Sequence, residues 1–167
     1  MNAILRITTS LLFVGTLSLT GCSQKVQWPD LPVSEATPYF TDAAKTHTVD
    51  TAFYEIQNDK GVKLGTILFS SPYSDGIKGF NGPTPLLIAL DAEGRIKEVV
   101  LLENQETPWY AQHVKEGGLF MEWNGLTPVT ALDKEVDAIS GATYTSNGIK
   151  RSLITRLKAY ERQLKKK

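Results

Sequence analysis

Hydrophobic and polar positions sort the chain into unlike stretches. Residues 7–20 form an uncharged run rich in Leu, Phe, Val and Ile behind Arg6. The run suits a signal-peptide core and falls short of the ~20 apolar residues a bilayer span needs. Residues 23–38 are polar and carry Pro29, Pro32 and Pro38, the composition of a tether. A short helix is expected within 34–45, with Ser34 as its cap and Pro38 interrupting it. Residues 51–57 and 62–70 flank Asn58-Asp59-Lys60-Gly61, which predicts a hairpin. Residues 71–85 are rich in Gly and Pro and read as a loop. Residues 86–91 and 96–103 predict a second hairpin around Ala92-Glu93-Gly94-Arg95. Its continuous Val99-Val100-Leu101-Leu102 run suggests a strand buried on both faces. Residues 108–116 predict a helix that has Pro108 in its first turn and ends at Gly117-Gly118. Residues 119–136 show no usable period. Residues 145–164 give the clearest helix: Ile149, Leu153, Leu157, Tyr160 and Leu164 form one stripe. Lys150, Arg151, Arg156, Lys158 and Arg162 fall largely away from it. These elements predict an α+β fold: a twisted, mainly antiparallel sheet with the C-terminal helix packed on it.

Composition narrows the function. Lys+Arg and Asp+Glu both number 18 in 167 residues, so the basic footprint of a nucleic-acid binder is missing. One cysteine, Cys22, excludes an internal disulfide and a cysteine metal cluster, and two histidines make a His-rich site unsuited. His47 and His113 read as surface or core residues. A Gly-x-Ser-x-Gly elbow, a dinucleotide fingerprint and a Cys-x-x-Cys-His haem motif are all absent from the sequence.

The end of the leader is Leu19-Thr20-Gly21-Cys22. This tetrapeptide resembles a bacterial lipobox. The resemblance implies acylation of Cys22, cleavage before it, and anchoring of an extracytoplasmic protein by two or three acyl chains. Ser23 permits outer-membrane sorting in hosts that sort by that position. The expected organisation is a signal peptide at 1–21, a lipidated cysteine and tether at 22–38, and one domain at 39–167.

The chemistry concentrates in Asp137-Ala138-Ile139-Ser140-Gly141-Ala142-Thr143-Tyr144-Thr145-Ser146, at the mouth of the last helix. Gly141 permits a tight turn. Ala142 keeps the approach open. Thr143, Thr145, Ser146 and Asn147 bring polar groups to helix N–H groups that lack partners. Two physical readings stand: a helix cap after a glycine turn, or a seat for a phosphate.

Asp-x-x-Ser-Gly-Ala-Thr resembles the flavin-attachment motif of the FMN-binding domain family. That family includes the C subunit of sodium-pumping NADH:quinone oxidoreductase and the G subunit of the Rnf complex. The resemblance implies FMN held through a phosphoester on Thr143, made by a separate flavin transferase that uses FAD; Thr145 is the next hydroxyl of the same type. Gly79-Phe80-Asn81-Gly82-Pro83 and Glu106-Thr107-Pro108 resemble further segments of the family. The second usually continues Gly-Leu, whereas here it continues Trp109-Tyr110. The implied cofactor residues are therefore Thr143, with Asp137, Ser140, Gly141, Ala142, Thr145, Glu106, Thr107, Trp109 and Phe80 around it. Tyr110 is a further ring neighbour. The implied function is that of a lipid-anchored electron carrier or subunit in the cell envelope, working with redox partner proteins. Two other readings are a noncovalent FMN-binding regulatory or assembly module, and a structural lipoprotein without flavin.

Overall fold

The computed structural model describes residues 29–166. The leader, Cys22 and Ser23 lie outside them. Five strands, β1 (Lys45–Asp50), β2 (Phe53–Gln57), β3 (Lys63–Phe69), β4 (Leu86–Asp91) and β5 (Ile96–Leu101), form an antiparallel meander in sequence order. The helices are α1 (Val33–Ala36), α2 (Pro108–Glu116), α3 (Pro128–Asp133) and α4 (Thr143–Leu164), with a 3₁₀ turn at Leu119–Trp123. The α+β architecture is as expected, and both hairpins and α2 fall where the turn signals put them. Residues 119–136, which have no period, divide between the 3₁₀ turn and α3.

The sheet has two covered faces. On one, Leu86, Ile88 and Leu90 of β4 meet Ile149, Leu153 and Leu157 of α4, with Val114 of α2 and Trp123 beside them. On the other, Leu87 and Ala89 meet Leu31, Ala36 and Phe40. β4 is therefore the strand buried on both sides. The apolar run in β5 is not: it stands at the sheet's edge, and Val100, Leu101 and Leu102 are half-buried. A groove of about 920 Å³ follows this open edge beneath α2.

Residues 31–43 differ most from expectation. They form a strap across the sheet. Leu31 and Ala36 are buried, so the packed body starts before residue 39. The Thr46 hydroxyl donates to the Leu31 carbonyl at 2.5 Å, and Lys97 Nζ donates to the Tyr39 carbonyl at 2.6 Å. Gly65 makes room for the strap: a Cβ there would lie 2.2 Å from the Leu90 carbonyl oxygen and 2.5 Å from the Phe40 ring. The helix within the strap is four residues long and follows Pro32; Ser34 lies inside it and its carbonyl accepts from the Thr37 hydroxyl. β1, whose Lys-Thr-His-Thr-Val-Asp sequence has little apolar content, is a strand because β2 offers it a ladder and the strap binds its threonines.

Arg156 also departs from expectation. It is fully buried on α4. Its guanidinium donates to the carbonyls of Phe69 at 2.7 Å and Ala52 at 2.8 Å, and to Gln163 Oε1 at 3.1 Å. Burial pushes its pKa down to about 10, against the support of Tyr73, Tyr160 and Asp50, so it stays charged at neutral pH. Leu164, the last position of the predicted stripe, is exposed.

Candidate flavin site

α4 starts at Thr143, two residues before the predicted start. Gly141 takes φ +82°, a left-handed turn that suits glycine. The Ala142 N–H donates to the Ile139 carbonyl at 3.0 Å, which closes the turn. Two of the hydroxyls expected as caps, those of Thr145 and Ser146, are turned inward. Ser146 Oγ donates to the Ala142 carbonyl at 2.9 Å and accepts from the Ile139 N–H at 3.1 Å. Thr145 is buried and donates to Glu106 Oε2. Ala142 at the N-cap provides no side-chain cap, and the first turn holds no acid. The helix therefore presents its N–H groups and positive dipole end without a competing carboxylate. Thr143 is exposed in that first turn. Of the two candidate threonines, Thr143 has an accessible hydroxyl and Thr145 has a committed one.

Glu106 is the organiser of the site. Its carboxylate accepts from the backbone N–H groups of Phe80 at 3.1 Å, Asn81 at 2.8 Å and Gly82 at 3.0 Å, and from the Thr145 hydroxyl. Burial acts to raise its pKa. The bonds from Thr145, Asn81, Gly82 and Phe80 outweigh burial and hold it below the usual carboxylate value. These donors lie on the Phe80 loop and on α4, so Glu106 ties that loop to the helix that bears Thr143.

The cleft, about 280 Å³, is lined by Phe80, Tyr110, Tyr144 and the backbone from Gly141 to Thr145. Phe80 lies edge-on to Tyr110 at 5.1 Å and tilted to Tyr144 at 6.3 Å. Three large apolar side chains beside Thr143 stay in solvent: Phe80 is 54% exposed, Trp109 58% and Tyr144 72%. So dense an aromatic surface is costly to leave bare and suits a planar ligand. Trp109 stands just outside the lining, across Gly141, and stacks on His113. Ser140 contributes its carbonyl to His113. Asp137 is exposed, Thr107 precedes α2, and neither lines the cleft.

Two contributors are invisible to motif reading. Tyr144 is hidden because its role depends on which way the first turn faces. Gly148 is hidden because its partner is distant in sequence: a Cβ there would lie 2.6 Å from Gly79 Cα and 2.8 Å from Gly79 N. α4 thus packs directly on the backbone of the loop that carries Phe80. In Gly148→Ala, the better helix propensity contributes ~1 kcal/mol and the backbone clash costs ~1–3 kcal/mol. The clash wins because neither side is a flexible side chain. Thermal melts should show a net loss of up to about 2 kcal/mol.

The residues fit FMN on chemistry alone: an open hydroxyl and free helix N–H groups for a phosphate, small residues for close approach, and aromatic faces for a ring. Similarity to known proteins bears on the same segment. The crystal structure of Shewanella oneidensis NqrC is 22% identical, at a TM-score of 0.45, over 69% of this chain and 61% of that one. The chain thus spans about three-fifths of that protein's length. No curated protein matches it. Residues 79–158, from the Phe80 loop through Glu106 and Thr143 into α4, match the sequence profile of the FMN-binding domain. Over that segment, the chain is similar to the FMN-binding domain family.

Proposed function

We propose that this protein is an extracytoplasmic, lipid-anchored flavoprotein that carries FMN as a phosphoester on Thr143 and passes electrons in the cell envelope, as a carrier or as one subunit of a redox assembly. The observation that carries this reading is the exposed Thr143 hydroxyl at an uncapped helix N-terminus inside an FMN-binding segment. Bound there, FMN supplies one- and two-electron transfer through its ring. The protein's part is to hold and orient it. The first-turn N–H groups of α4 take the phosphate charge. Glu106 keeps the Phe80 loop against α4. Phe80, Tyr110 and Tyr144 offer ring faces.

A flavin transferase would make the attachment, with FAD as donor. The Thr143 Oγ1–P bond forms, the bridge between the two FAD phosphates breaks, AMP leaves, and the hydroxyl proton is released. A covalent link suits an exported protein, from which a loosely held flavin would diffuse away. Cys22 would fix the protein in the membrane, facing the periplasm in a Gram-negative host, and Ser23 allows the outer membrane.

The test is co-expression with a flavin transferase, followed by denaturing electrophoresis. We expect a fluorescent wild-type band and a dark Thr143→Ala band. Thr145→Ser, which keeps the donor to Glu106, should stay fluorescent. A dark wild-type band beside a working control substrate rejects the covalent reading. A Cys22→Ala chain should leave the membrane fraction; if it stays there, the anchor is rejected.

A further inference from the structure

Beyond the cleft, the Trp109 indole lies flat against His113, with ring centroids 4.8 Å apart and planes 16° from parallel. His113 Nε2 donates to the Ser140 carbonyl at 3.0 Å, which pins the imidazole to the loop bearing the attachment motif. A carbonyl only accepts, so Nε2 is the donor in this bond. Tyr110 braces the indole edge-on at 5.2 Å. Gly141 lies against both rings: a Cβ there would stand 3.7 Å from Trp109 Cη2 and 3.7 Å from His113 Nε2. Trp109 is therefore fixed from several sides, yet 58% of it faces solvent. A rigid, electron-rich aromatic face stands open next to the turn that leads into Thr143.

We propose that His113 is a positioning residue that presents the Trp109 indole as a stacking wall for the isoalloxazine ring of FMN. The proposal rests on Thr143 as the attachment point. A ring tethered there by the ribityl chain meets Phe80, Tyr110 and Tyr144 on one side of Gly141 and Trp109 on the other. An electron-poor flavin ring gains most from the indole, the most electron-rich of these faces. The Trp-Tyr pair after Pro108 supplies a wall that glycine at position 109 would leave out.

A flavin stacked on an indole or phenol loses most of its emission, which provides a readout other than activity. The background is a Tyr110→Phe/Tyr144→Phe chain co-expressed with the transferase, so that Trp109 is the electron-rich ring nearest Thr143. Fluorescence after denaturation measures loading. Fluorescence of the folded protein, per loaded flavin, measures stacking. We expect Trp109→Leu to raise native emission several-fold at equal loading. His113→Ala should raise it by a smaller factor, because the indole remains but is no longer held. Circular dichroism confirms that each variant is folded, and Trp109→Phe replaces Trp109→Leu if the latter is not. Unchanged native emission in the loaded Trp109 variant overturns the wall. A rise for Trp109→Leu with none for His113→Ala overturns the positioning role of His113. A parent chain that never loads flavin rejects the attachment reading, and this proposal with it.

Discussion

Replacing Glu106 with alanine is expected to lower stability by about 3–5 kcal/mol and to dismantle the flavin cleft. Glu106 is 6% exposed, and its carboxylate accepts from three backbone amides and one buried hydroxyl. Hydrogen bonds to a charged acceptor are worth about 1.5–3 kcal/mol each, but water reaches the freed amides of exposed Phe80 and Asn81, so the sum is only partly lost. Gln in place of Glu keeps the size but removes the charge and turns an amide nitrogen toward N–H donors. Chemical denaturation of both variants and gel fluorescence after transferase treatment measure the two effects. Wild-type stability with either variant would overturn the organising role. The pH dependence has a definite sign. The folded pKa lies below the ordinary 4.5, so the carboxylate's contribution is complete above about pH 4.5 and is lost as pH falls through the folded value. The stability gap between wild type and Glu106→Gln should therefore narrow on acidification. A gap that widens contradicts the assignment.

Arg156→Met should cost about 2–4 kcal/mol while leaving the proposed flavin attachment at Thr143 intact. The guanidinium holds acceptors on three segments: Ala52 in the β1–β2 turn, Phe69 at the end of β3, and Gln163 on α4. Ala52 itself sits at φ +51°, and its carbonyl also accepts from the Phe69 N–H. Removing the charge recovers its desolvation penalty, which offsets part of the lost bonding. Lysine is no substitute, because one ammonium cannot span this fork and gives up its proton more readily when buried. Urea titration reads the loss, and gel fluorescence reads the attachment. Equal loss of both would mean that the Arg156 end of α4 and the Thr143 end are not separable.

Much of this was legible in the chain. The second hairpin and α2 announce themselves because Ala92-Glu93-Gly94-Arg95, Pro108 and Gly117-Gly118 are local signals. β1 is silent because its strand character comes from β2 and the strap. The strap is silent because prolines read as a tether, and its burial depends on the gap at Gly65. The loop over residues 137–146 is legible because small residues and hydroxyls stand together. The duties within it are not: Thr145 and Thr143 look alike in sequence, and α4's rotation turns one into the core and the other to solvent. Glu106 is legible as part of a motif, whereas its loop-building role is not, because its amide partners lie 24–26 residues upstream. Arg156 falls off the apolar stripe by spacing, yet the carbonyls of two other segments draw it inward.

The strap across the second face has a consequence for reach. Because Leu31 is already packed, nine residue steps separate it from Cys22. At about 3.3–3.6 Å per residue the leash is at most about 32 Å long. For the anchored protein proposed above, that is roughly the thickness of the bilayer's own hydrocarbon core. Such a flavin domain would not roam a wide compartment. It would sample a thin shell at the membrane surface, where partners held in the same membrane are met at high effective concentration and freely diffusing ones gain nothing.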